Sequence, residues 1–408
     1  MNLGTWAARR YLWPAARTAE REPADLAESS LFVANRASRD ASVTLGVVLP
    51  GDTVLYLLLP LHAAVFGVTL PEAGLLLAAN RLVRIAGYGW VARGYHRFGP
   101  RAACLAATLG ATAATLGYAL TTGLIPLLLA RLLWGLSFAA LNIATQALAT
   151  AEAVGAGRRS GRSRAIISTG PMLGLLFAAV FAEMIGPRAV FLVLGVIALL
   201  ALPVALRLPS GPGQRLRAPG RRLTWPSPLD LWAFVQGLTL DGVFVVGLSV
   251  LAAAVMPAGA TLAAGVSLAL RYVAEIVLGP PGGIVAERWG AKRALVAISL
   301  ASAVGYAAIG GEAIWTGVIA VVLLRGLASP LPALVAAVAN PGAARVPAIA
   351  AMATWRDLGA GIGPLIAGLV LPLAPLALYA GAALLLALVT LAFARLQATR
   401  WQWSGWSG

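Results

Sequence analysis

The chain has 408 residues, of which 60% are hydrophobic and 11% are charged. Soluble domains carry about 25% charged residues, and charges are costly at the centre of a bilayer, so this composition excludes an ordinary soluble domain and favours a membrane protein. The net charge of +16 does not indicate nucleic-acid binding, because the arginines lie in short connections between apolar runs.

The residues that commonly carry catalysis, metal binding or nucleotide hydrolysis are scarce. Cys104 is the single cysteine, and His62 and His96 are the two histidines. Lys292 is the single lysine, and the residues around it do not match the phosphate-binding motif GxxxxGK[ST]. We therefore predict no metal site, no cofactor and no enzymatic activity. The first forty residues lack the compact apolar core of a cleavable signal peptide, and either a surface helix or a floppy tail fits them.

After an N-terminal tail at 1–41, twelve apolar stretches are each long enough to cross the hydrocarbon, which takes roughly 20 residues. Because lipid offers the backbone no hydrogen-bond partners, these stretches are predicted to be helices. In chain order, predicted helices 1 to 12 lie near 43–66, 72–93, 102–121, 124–149, 164–185, 189–207, 229–255, 261–286, 293–310, 314–338, 347–371 and 374–394.

The connections between these helices divide by charge. One set carries basic residues at 93–101, 158–164, 288–293, Arg345 and Arg356, whereas the alternate set has one, Arg188. The positive-inside rule places the basic side in the cytoplasm. We expect a multi-pass protein of a bacterial inner membrane.

A polar linker at 209–228, rich in Pro, Gly and Arg, falls on the basic side. The N-terminal tail and the C-terminal tail at 396–408 fall there too, so both ends and the linker are predicted to be cytoplasmic. Trp401, Trp403 and Trp406 in the C-terminal tail are interpreted as interfacial anchors.

The linker separates two stretches, 42–208 and 229–395, that repeat one plan of six helices. Four features recur at nearly one spacing. The repeated features, each with the difference between its residue numbers, are Asp52 and Asp241 (189), Arg81 and Arg271 (190), Arg131 and Arg325 (194), and Gly170-Pro171 and Gly363-Pro364 (193). The sequence therefore predicts an all-α membrane protein with twelve transmembrane helices in two six-helix pseudo-repeats.

Two loops carry a motif that resembles a known family. The loop between predicted helices 8 and 9 reads Gly283-x-x-x-Glu287-Arg288-x-Gly290-x-Lys292-Arg293, which resembles the GxxxD[RK]xG[RK][RK] signature of the major facilitator superfamily with Glu in place of Asp. The loop between helices 2 and 3 keeps Arg97-x-Gly99-x-Arg101 but has His96 where the acid belongs. The resemblance covers all twelve helices and implies the major facilitator fold. In that family the loop locks the cytoplasmic side, and the departure at His96 favours the second copy for this role.

Predicted helices 4 and 5 carry two further motifs. Leu127-x-x-x-Arg131-x-x-x-Gly135 is similar to the motif of drug–proton antiporters in which the arginine is tied to proton transfer. Gly170-Pro171-x-x-Gly174 looks like their GPxxGG motif, with Leu175 in the last position. Together they resemble bacterial proton-coupled drug and metabolite exporters. The residues expected to control conformation are Gly283, Glu287, Arg288, Gly290, Arg293, Arg97, Gly99, Arg101, Gly170, Pro171, Gly174, Gly363 and Pro364.

Charges within the predicted helices are functional candidates, because a partner or a water-filled cavity must offset their cost. Asp52 and Asp241 lie mid-helix, where burial and a nearby arginine act in opposite senses on protonation and suit a carboxylate to proton transfer. With Arg131, whose part is implied by the antiporter resemblance, they are the predicted proton-coupling residues. The alternative is that both aspartates only neutralise arginines on neighbouring helices.

A further set of polar and charged residues is predicted to bind substrate. These residues are Arg81, Arg84, Tyr56, Asn142, Gln146, Arg271, Glu275 and Arg325. Arg81 and Arg84 share a helix face without an acid nearby, so Asp52 could balance one and an anionic substrate group the other. Tyr56, one turn from Asp52, is expected to bond its carboxyl group. Arg271 and Glu275, at i,i+4, could instead pair with each other.

Predicted helix 4 presents one mostly polar stripe, formed by Arg131, Gly135, Phe138, Asn142 and Gln146. This stripe is expected to line a central cavity, the alternative being a polar contact between helices.

The leading hypothesis is export of a small organic molecule with anionic or polar groups by alternating access and proton antiport. The Asn80-Arg81-x-x-Arg84 run resembles bacterial exporters of siderophores and related metabolites. Proton-coupled import of an organic anion is the first alternative, and a non-transporting membrane sensor or assembly partner is the alternative of another class. The expected partners are the substrate, protons and the lipid bilayer, with no nucleic acid, and the chain is expected to act as a monomer.

Overall fold

The structure, a computed structural model, describes residues 13–211, 226–255, 260–311 and 313–403, and these residues form helices and short turns without strands. The all-α prediction is confirmed. Most of the predicted linker, together with Trp406, lies outside the described residues.

The helices follow one another with short connections. In chain order they are α1 (Trp13–Val48 and Pro50–Leu61), α2 and α3 (together Leu70–Leu120), α4 (Leu124–Ala149), α5 (Ala156–Ile185), α6 (Pro187–Ala198 and Ala201–Ala205), α7 (Pro228–Gln236, the π-helical segment Gly237–Val243, and Phe244–Val255), α8 (Ala260–Trp289), α9 (Ala291–Gly310), α10 (Ile314–Ala328 and Leu331–Ala339), α11 (Arg345–Val370) and α12 (Pro375–Trp403).

Helices α2 and α3 form one run of 51 residues that breaks at Gly99. At 1.5 Å per residue such a run would be roughly 76 Å long, more than twice the thickness of the hydrocarbon, so it must cross the membrane twice. Gly99 has φ 81° and ψ 172°, a conformation that glycine adopts readily, and Pro100 then opens the next helix. Residues 70–98 are therefore α2 and 100–120 are α3.

Ten helices within the described residues are long and apolar enough to span a membrane. The run of α2 and α3 counts once among them, and α11 falls short because Arg356 and Asp357 lie in its middle. Since α11 packs against α7 of its own half and against α2 of the other half, it belongs inside the bundle. These two adjustments give the twelve helices that the sequence predicts.

The buried apolar side chains cluster by half. One cluster runs from Ala37 to Leu208 and takes only three residues, all of α11, from outside that range. Two further clusters are built from residues numbered 229–393 together with Ala156. Each six-helix bundle therefore has its own core.

The first helix begins much earlier than the predicted start at residue 43. Ala37 and Ala41, assigned to the tail by the sequence, are buried in the core of the first half. The Ser42 hydroxyl donates to Ser163 of α5 over 2.7 Å. Small residues pack closely between helices without forming an apolar run, and this is why hydropathy does not detect the segment.

Glycines bring α5 against α1 in the first half and α11 against α7 in the second. A Cβ added to Gly170 would overlap the carbonyl oxygen of Gly46, and one added to Gly363 would lie 2.7 Å from the Cα of Gly242. Because the two contacts join equivalent helices of the two halves, the repeated Gly-Pro motifs mark close helix packing.

The two halves also touch each other at the end of the molecule that carries the α2–α3, α4–α5 and α8–α9 loops, which we call the basic end. Gly161 of α5 faces α8 so closely that an added Cβ would lie 2.5 Å from the Gly279 carbonyl oxygen. Glu287 accepts from the backbone N–H of Arg158 over 2.9 Å and lies 3.0 Å from its guanidinium. Arg345 of α11 donates to the carbonyls at 150 and 151, both over 2.9 Å.

The two copies of the loop motif make different contacts. Glu287 of the second copy joins the halves, as just described, whereas Arg101 of the first copy donates to the Leu208 carbonyl over 2.7 Å and Gly99 packs on Gly211. The first copy thus holds the start of the linker. Of the other motif residues, Gly290 has φ 86° ahead of α9, Arg97 lies over the ring of Phe98, and Arg288 and Arg293 are exposed.

Replacing Gly170 with Ala is expected to destabilise the first half by about 1–3 kcal/mol, because α1 and α5 must move apart to admit the methyl group. The melting temperature of the detergent-purified protein should fall by several degrees. The matched control is Gly89→Ala on the exposed side of α2, where an added Cβ meets nothing within 4 Å. Equal melting temperatures for the two variants would contradict this packing.

Candidate functional site

A buried ion pair between Asp52 on α1 and Arg131 on α4 forms the polar centre of the first half. Asn80 donates to the same Asp52 oxygen over 2.9 Å, and the Nε of Arg131 donates to the Leu76 carbonyl over 3.1 Å. Arg131 is fully buried. Neither charge is stable in this environment without the other, so each requires its partner.

The α4 motif holds this arrangement through two residues one turn apart. A Cβ added to Gly135 would lie 2.7 Å from the Asn80 side-chain oxygen, so glycine at this position lets α2 approach α4. Arg131 then reaches the carboxylate that Asn80 also binds. The motif therefore has a structural explanation within the first half.

The second half contains an equivalent ion pair with an additional acid. Arg325 of α10 lies 2.5 Å from Asp241 of α7 and 2.5 Å from Glu275 of α8. The second oxygen of Glu275 accepts from Ser168 of α5 over 2.6 Å, which is a contact with the first half. Asp241 lies in the π-helical segment of α7, a local widening of the helix that is frequent at functional sites.

The repeat relates these two ion pairs, since one joins α1 to α4 and the other joins α7 to α10. The interpretation that both aspartates neutralise arginines on neighbouring helices describes the observed contacts. Proton transfer by these aspartates stays a prediction.

A cavity of about 240 Å³ lies between the two halves. Its charged lining residues are Asp52, Arg81, Arg84, Arg164, Asp241, Arg271, Glu275, Arg325, Arg356 and Asp357. The six arginines outnumber the four carboxylates by two, so the chamber shared by the two bundles carries a positive excess.

One ion pair between the halves was not predicted. The Nε of Arg84 on α2 lies 3.3 Å from a carboxylate oxygen of Asp357 on α11, and the Tyr88 hydroxyl donates to the same oxygen over 2.9 Å. Both charged side chains are buried. That Arg84 nitrogen nevertheless makes no hydrogen bond within the described chain, so the pair is poorly aligned.

Asp357 could have been found from its position in the middle of predicted helix 11. Its neighbour Arg356 was grouped with the basic connections, and the acid beside it was overlooked. Arg84 also lies 4.6 Å from the centre of the Phe138 ring, a cation–π contact that further fixes its guanidinium.

Two contacts predicted around Asp52 are not formed. The carboxylate pairs with Arg131 instead of Arg81 or Arg84. The Tyr56 hydroxyl donates to the Leu77 carbonyl over 3.4 Å rather than to Asp52, and its ring lies 5.2 Å from the guanidinium carbon of Arg131. Spacing along one helix shows which residues share a face, but residues on other helices decide the partners.

The alternative pairing of Arg271 with Glu275 is not observed, and Arg325 and Ser168 contact the two oxygens of Glu275 instead. Arg271 instead lies over the ring of Tyr272 at 4.8 Å, and its buried Nε lacks a hydrogen-bond partner among the described residues. Arg81 likewise has no carboxylate within 4.0 Å in the described chain.

The polar stripe of α4 lines the cavity only in part. Phe138 and Asn142 reach it. Arg131 is sealed behind Asp52, and Gly135 packs on Asn80. Gln146 is buried and donates to the Asn142 side chain over 2.8 Å, so it supports the lining without belonging to it.

Comparison with known proteins agrees with this architecture. A sequence model described as Major Facilitator Superfamily matches residues 41–262, which is more than half of the chain. The chain belongs to the major facilitator superfamily. No curated protein sequence matches this transporter.

The fold of the transporter is similar to a crystal structure of the human organic anion transporter MFSD10 (TETRAN), with a TM-score of 0.70 and 18% sequence identity. The likeness covers 88% of this chain and 99% of the human chain. It shows a shared fold. Family and fold together identify a multi-pass membrane transporter and not an enzyme.

Replacing Arg131 with Met in the transporter should cost about 3–5 kcal/mol of stability, because Asp52 would be left buried and unpaired. Adding Asp52→Leu should recover most of this loss, since apolar residues of similar volume replace a buried ion pair well. Thermal unfolding in detergent measures both. The control is Arg93→Met, which removes an exposed arginine bonded to a carbonyl of its own helix. A double variant less stable than Arg131→Met alone would contradict the pairing.

Proposed function

We propose that this transporter exports a small anionic or polar organic molecule by proton antiport, with its basic end facing the cytoplasm of a bacterial cell. The excess of arginines over carboxylates in the shared cavity carries the anion part of the proposal. A cavity with this charge attracts anions and repels cations. The arginine motif of α4 and the Gly-Pro motif of α5, which resemble those of antiporters, support export.

The cavity volume favours a substrate smaller than a siderophore. A siderophore supplies six donor atoms to one iron, and a molecule of that size needs more room than the roughly 240 Å³ of the cavity in this conformation. A small metabolite with carboxylate or phosphate groups fits the volume and the charge. The human structural neighbour is an organic anion transporter, which agrees with this class at the level of the fold.

The second half is the better candidate for proton coupling. Protonating Asp52 would leave Arg131 without its only carboxylate in a fully buried site. Protonating Asp241 or Glu275 would leave Arg325 still paired with the other acid. Because Glu275 also accepts from Ser168 of the first half, a proton there would alter a contact between the halves.

Proton-coupled import of an anion is the second candidate, and the same cavity charge favours it. Each proton taken up adds to the positive excess and strengthens anion binding, which is the requirement of symport. A non-transporting sensor accounts poorly for a polar chamber with unpaired arginines.

The direction of proton movement separates these candidates. The protein is reconstituted into vesicles containing a pH-sensitive dye, and benzoate, succinate or glycerol phosphate is added outside. Antiport predicts that anion entry drives protons out, whereas symport predicts that protons enter with the anion. Accumulation that survives a protonophore would contradict proton coupling altogether.

Within the same assay, Glu275→Gln and Asp241→Asn are expected to reduce proton movement at least tenfold while proton-independent anion exchange continues. Glu152→Gln, at an exposed loop acid, is the matched control. If only Asp52→Asn abolishes proton movement and leaves exchange intact, coupling belongs to the first half instead.

Alternating access requires the contacts between the halves to separate, both at the basic end and beside the cavity. The Arg158 and Glu287 side chains are 65% and 24% exposed, so their pair is worth at most about 1 kcal/mol. The pair of Arg84 and Asp357 is buried, with side chains 8% and 5% exposed, and should contribute more.

Asp357→Asn is therefore expected to open the basic end more than Glu287→Gln. The measurement is labelling of a cysteine placed at Thr53 in the cavity wall, in a Cys104→Ser background, by an impermeant maleimide applied from the basic side. Glu152→Gln again serves as the control. Faster labelling in Glu287→Gln than in Asp357→Asn would reverse the proposed order of the two contacts.

A further inference from the structure

Arg81 and Arg271 are related by the repeat, and both line the central cavity from opposite halves. Neither has a carboxylate within 4.0 Å in the part of the chain that the structure describes. An arginine inside a transmembrane bundle is normally paired, so two equivalent unpaired arginines facing one chamber call for a ligand.

The acids of the chamber have other partners in this arrangement, and none of the described ones lies within 4.0 Å of Arg81 or Arg271. Asp52 is held by Arg131 and Asn80. Asp241 and Glu275 share Arg325. Asp357 accepts from Tyr88 and lies beside Arg84, which leaves no uncommitted carboxylate in the lining.

We propose that Arg81 and Arg271 together bind a substrate with two separate anionic groups, one held by each half. This inference rests on the proposed function and narrows its substrate class to dianions, above all short dicarboxylates. Two negative charges balance the excess of two arginines in the lining. A monoanion would leave one of the two arginines unpaired.

Two further observations point to a ligand of this kind. Asn142, 2% exposed, lines the same cavity, and its side-chain N–H₂ lacks a hydrogen-bond partner within the described residues. It can donate to an anionic group bound in the cavity. Succinate and glutarate have eight and nine heavy atoms, which suits a chamber of about 240 Å³.

The remaining unpaired arginine of the lining has a different setting. Arg164 lies one turn before Ser168 on α5, and it borders a second pocket of about 60 Å³ together with Asp241 and Glu275. It therefore belongs with the acidic group of the second half. Arg81 and Arg271 are set apart by their equivalence and by their positions on opposite halves.

The test is binding to the full-length protein in nanodiscs, without any ion gradient. Succinate and glutarate are compared with butyrate and valerate, which keep the carbon chains but lose one carboxylate. Calorimetry at constant ionic strength should show the dicarboxylates binding at least tenfold more tightly. Equal affinities for the two series, or no binding by either, would overturn the proposal.

Variants then assign the two anionic groups. Arg81→Gln and Arg271→Gln should each lower dicarboxylate affinity at least tenfold, towards the monocarboxylate value, because each loses one charge-assisted contact. Arg81→Lys and Arg271→Lys should keep part of the preference, which separates loss of binding from loss of folding. Arg93→Gln, on the exposed side of α2, should bind like the wild type. Wild-type dicarboxylate affinity in either glutamine variant would also overturn the proposal.

These results are independent of the coupling mechanism. A preference for dicarboxylates without proton movement would support the dianion site and contradict proton antiport. Proton movement that is as fast with monocarboxylates as with dicarboxylates would support proton-coupled transport and contradict the dianion site.

Discussion

A buried arginine that meets a carboxylate is the interaction on which this structure depends. Lipid provides little hydrophobic drive for one helix to associate with another, so polar contacts and close packing must set the arrangement. Arg131 ties α4 to α1 through Asp52, and Arg325 ties α10 to α7 and α8. The glycine contacts of α5 and α11 then fix the remaining distances. Each bundle is thus assembled around one arginine.

The contacts inside each half differ in kind from those between the halves. Arg131 is sealed from solvent, and its separation from Asp52 would cost several kcal/mol. Between the halves, the pair of Arg84 and Asp357 is poorly aligned, and the contact of Arg158 with Glu287 is half exposed. Breaking the contacts between the halves therefore costs less free energy than breaking the buried ion pair inside a bundle. This difference is what movement of two rigid bodies requires.

Sequence reasoning succeeded where the deciding interactions are local. Span length, apolar content and the spacing of the repeated features predicted twelve helices in two halves, and seven of the ten charged residues that line the chamber were among the predicted site residues. It failed where partners come from other helices. Glu275 pairs with Arg325 of another helix and not with Arg271 of its own helix. Asp357 was missed because Arg356 next to it was assigned to a basic connection. The early start of α1 was not predicted, because its buried alanines and serines pack against other helices without forming an apolar run in the sequence.

The two halves keep one scaffold but offer different chemistry. In the first half one carboxylate serves one arginine, so losing the charge would break the site. In the second half two carboxylates share one arginine, so the arginine keeps a partner when either contact is lost. The positions match, but the number of carboxylates around the arginine differs between the halves. The repeat that builds the fold therefore does not by itself produce equivalent function.

The charge of the proposed substrate bears on the direction of transport. A dianion that leaves a cell with a negative interior gains about 2.3 kcal/mol per charge at 100 mV, or roughly 4.6 kcal/mol in all. Import must overcome the same amount and therefore needs protons that bind together with the anion. Inside the chamber, proton and anion binding reinforce each other, since each added proton increases the positive excess. Export by antiport requires instead that the anion and the proton occupy the chamber in turn, and the membrane potential then drives both the outward movement of the anion and the inward movement of the proton.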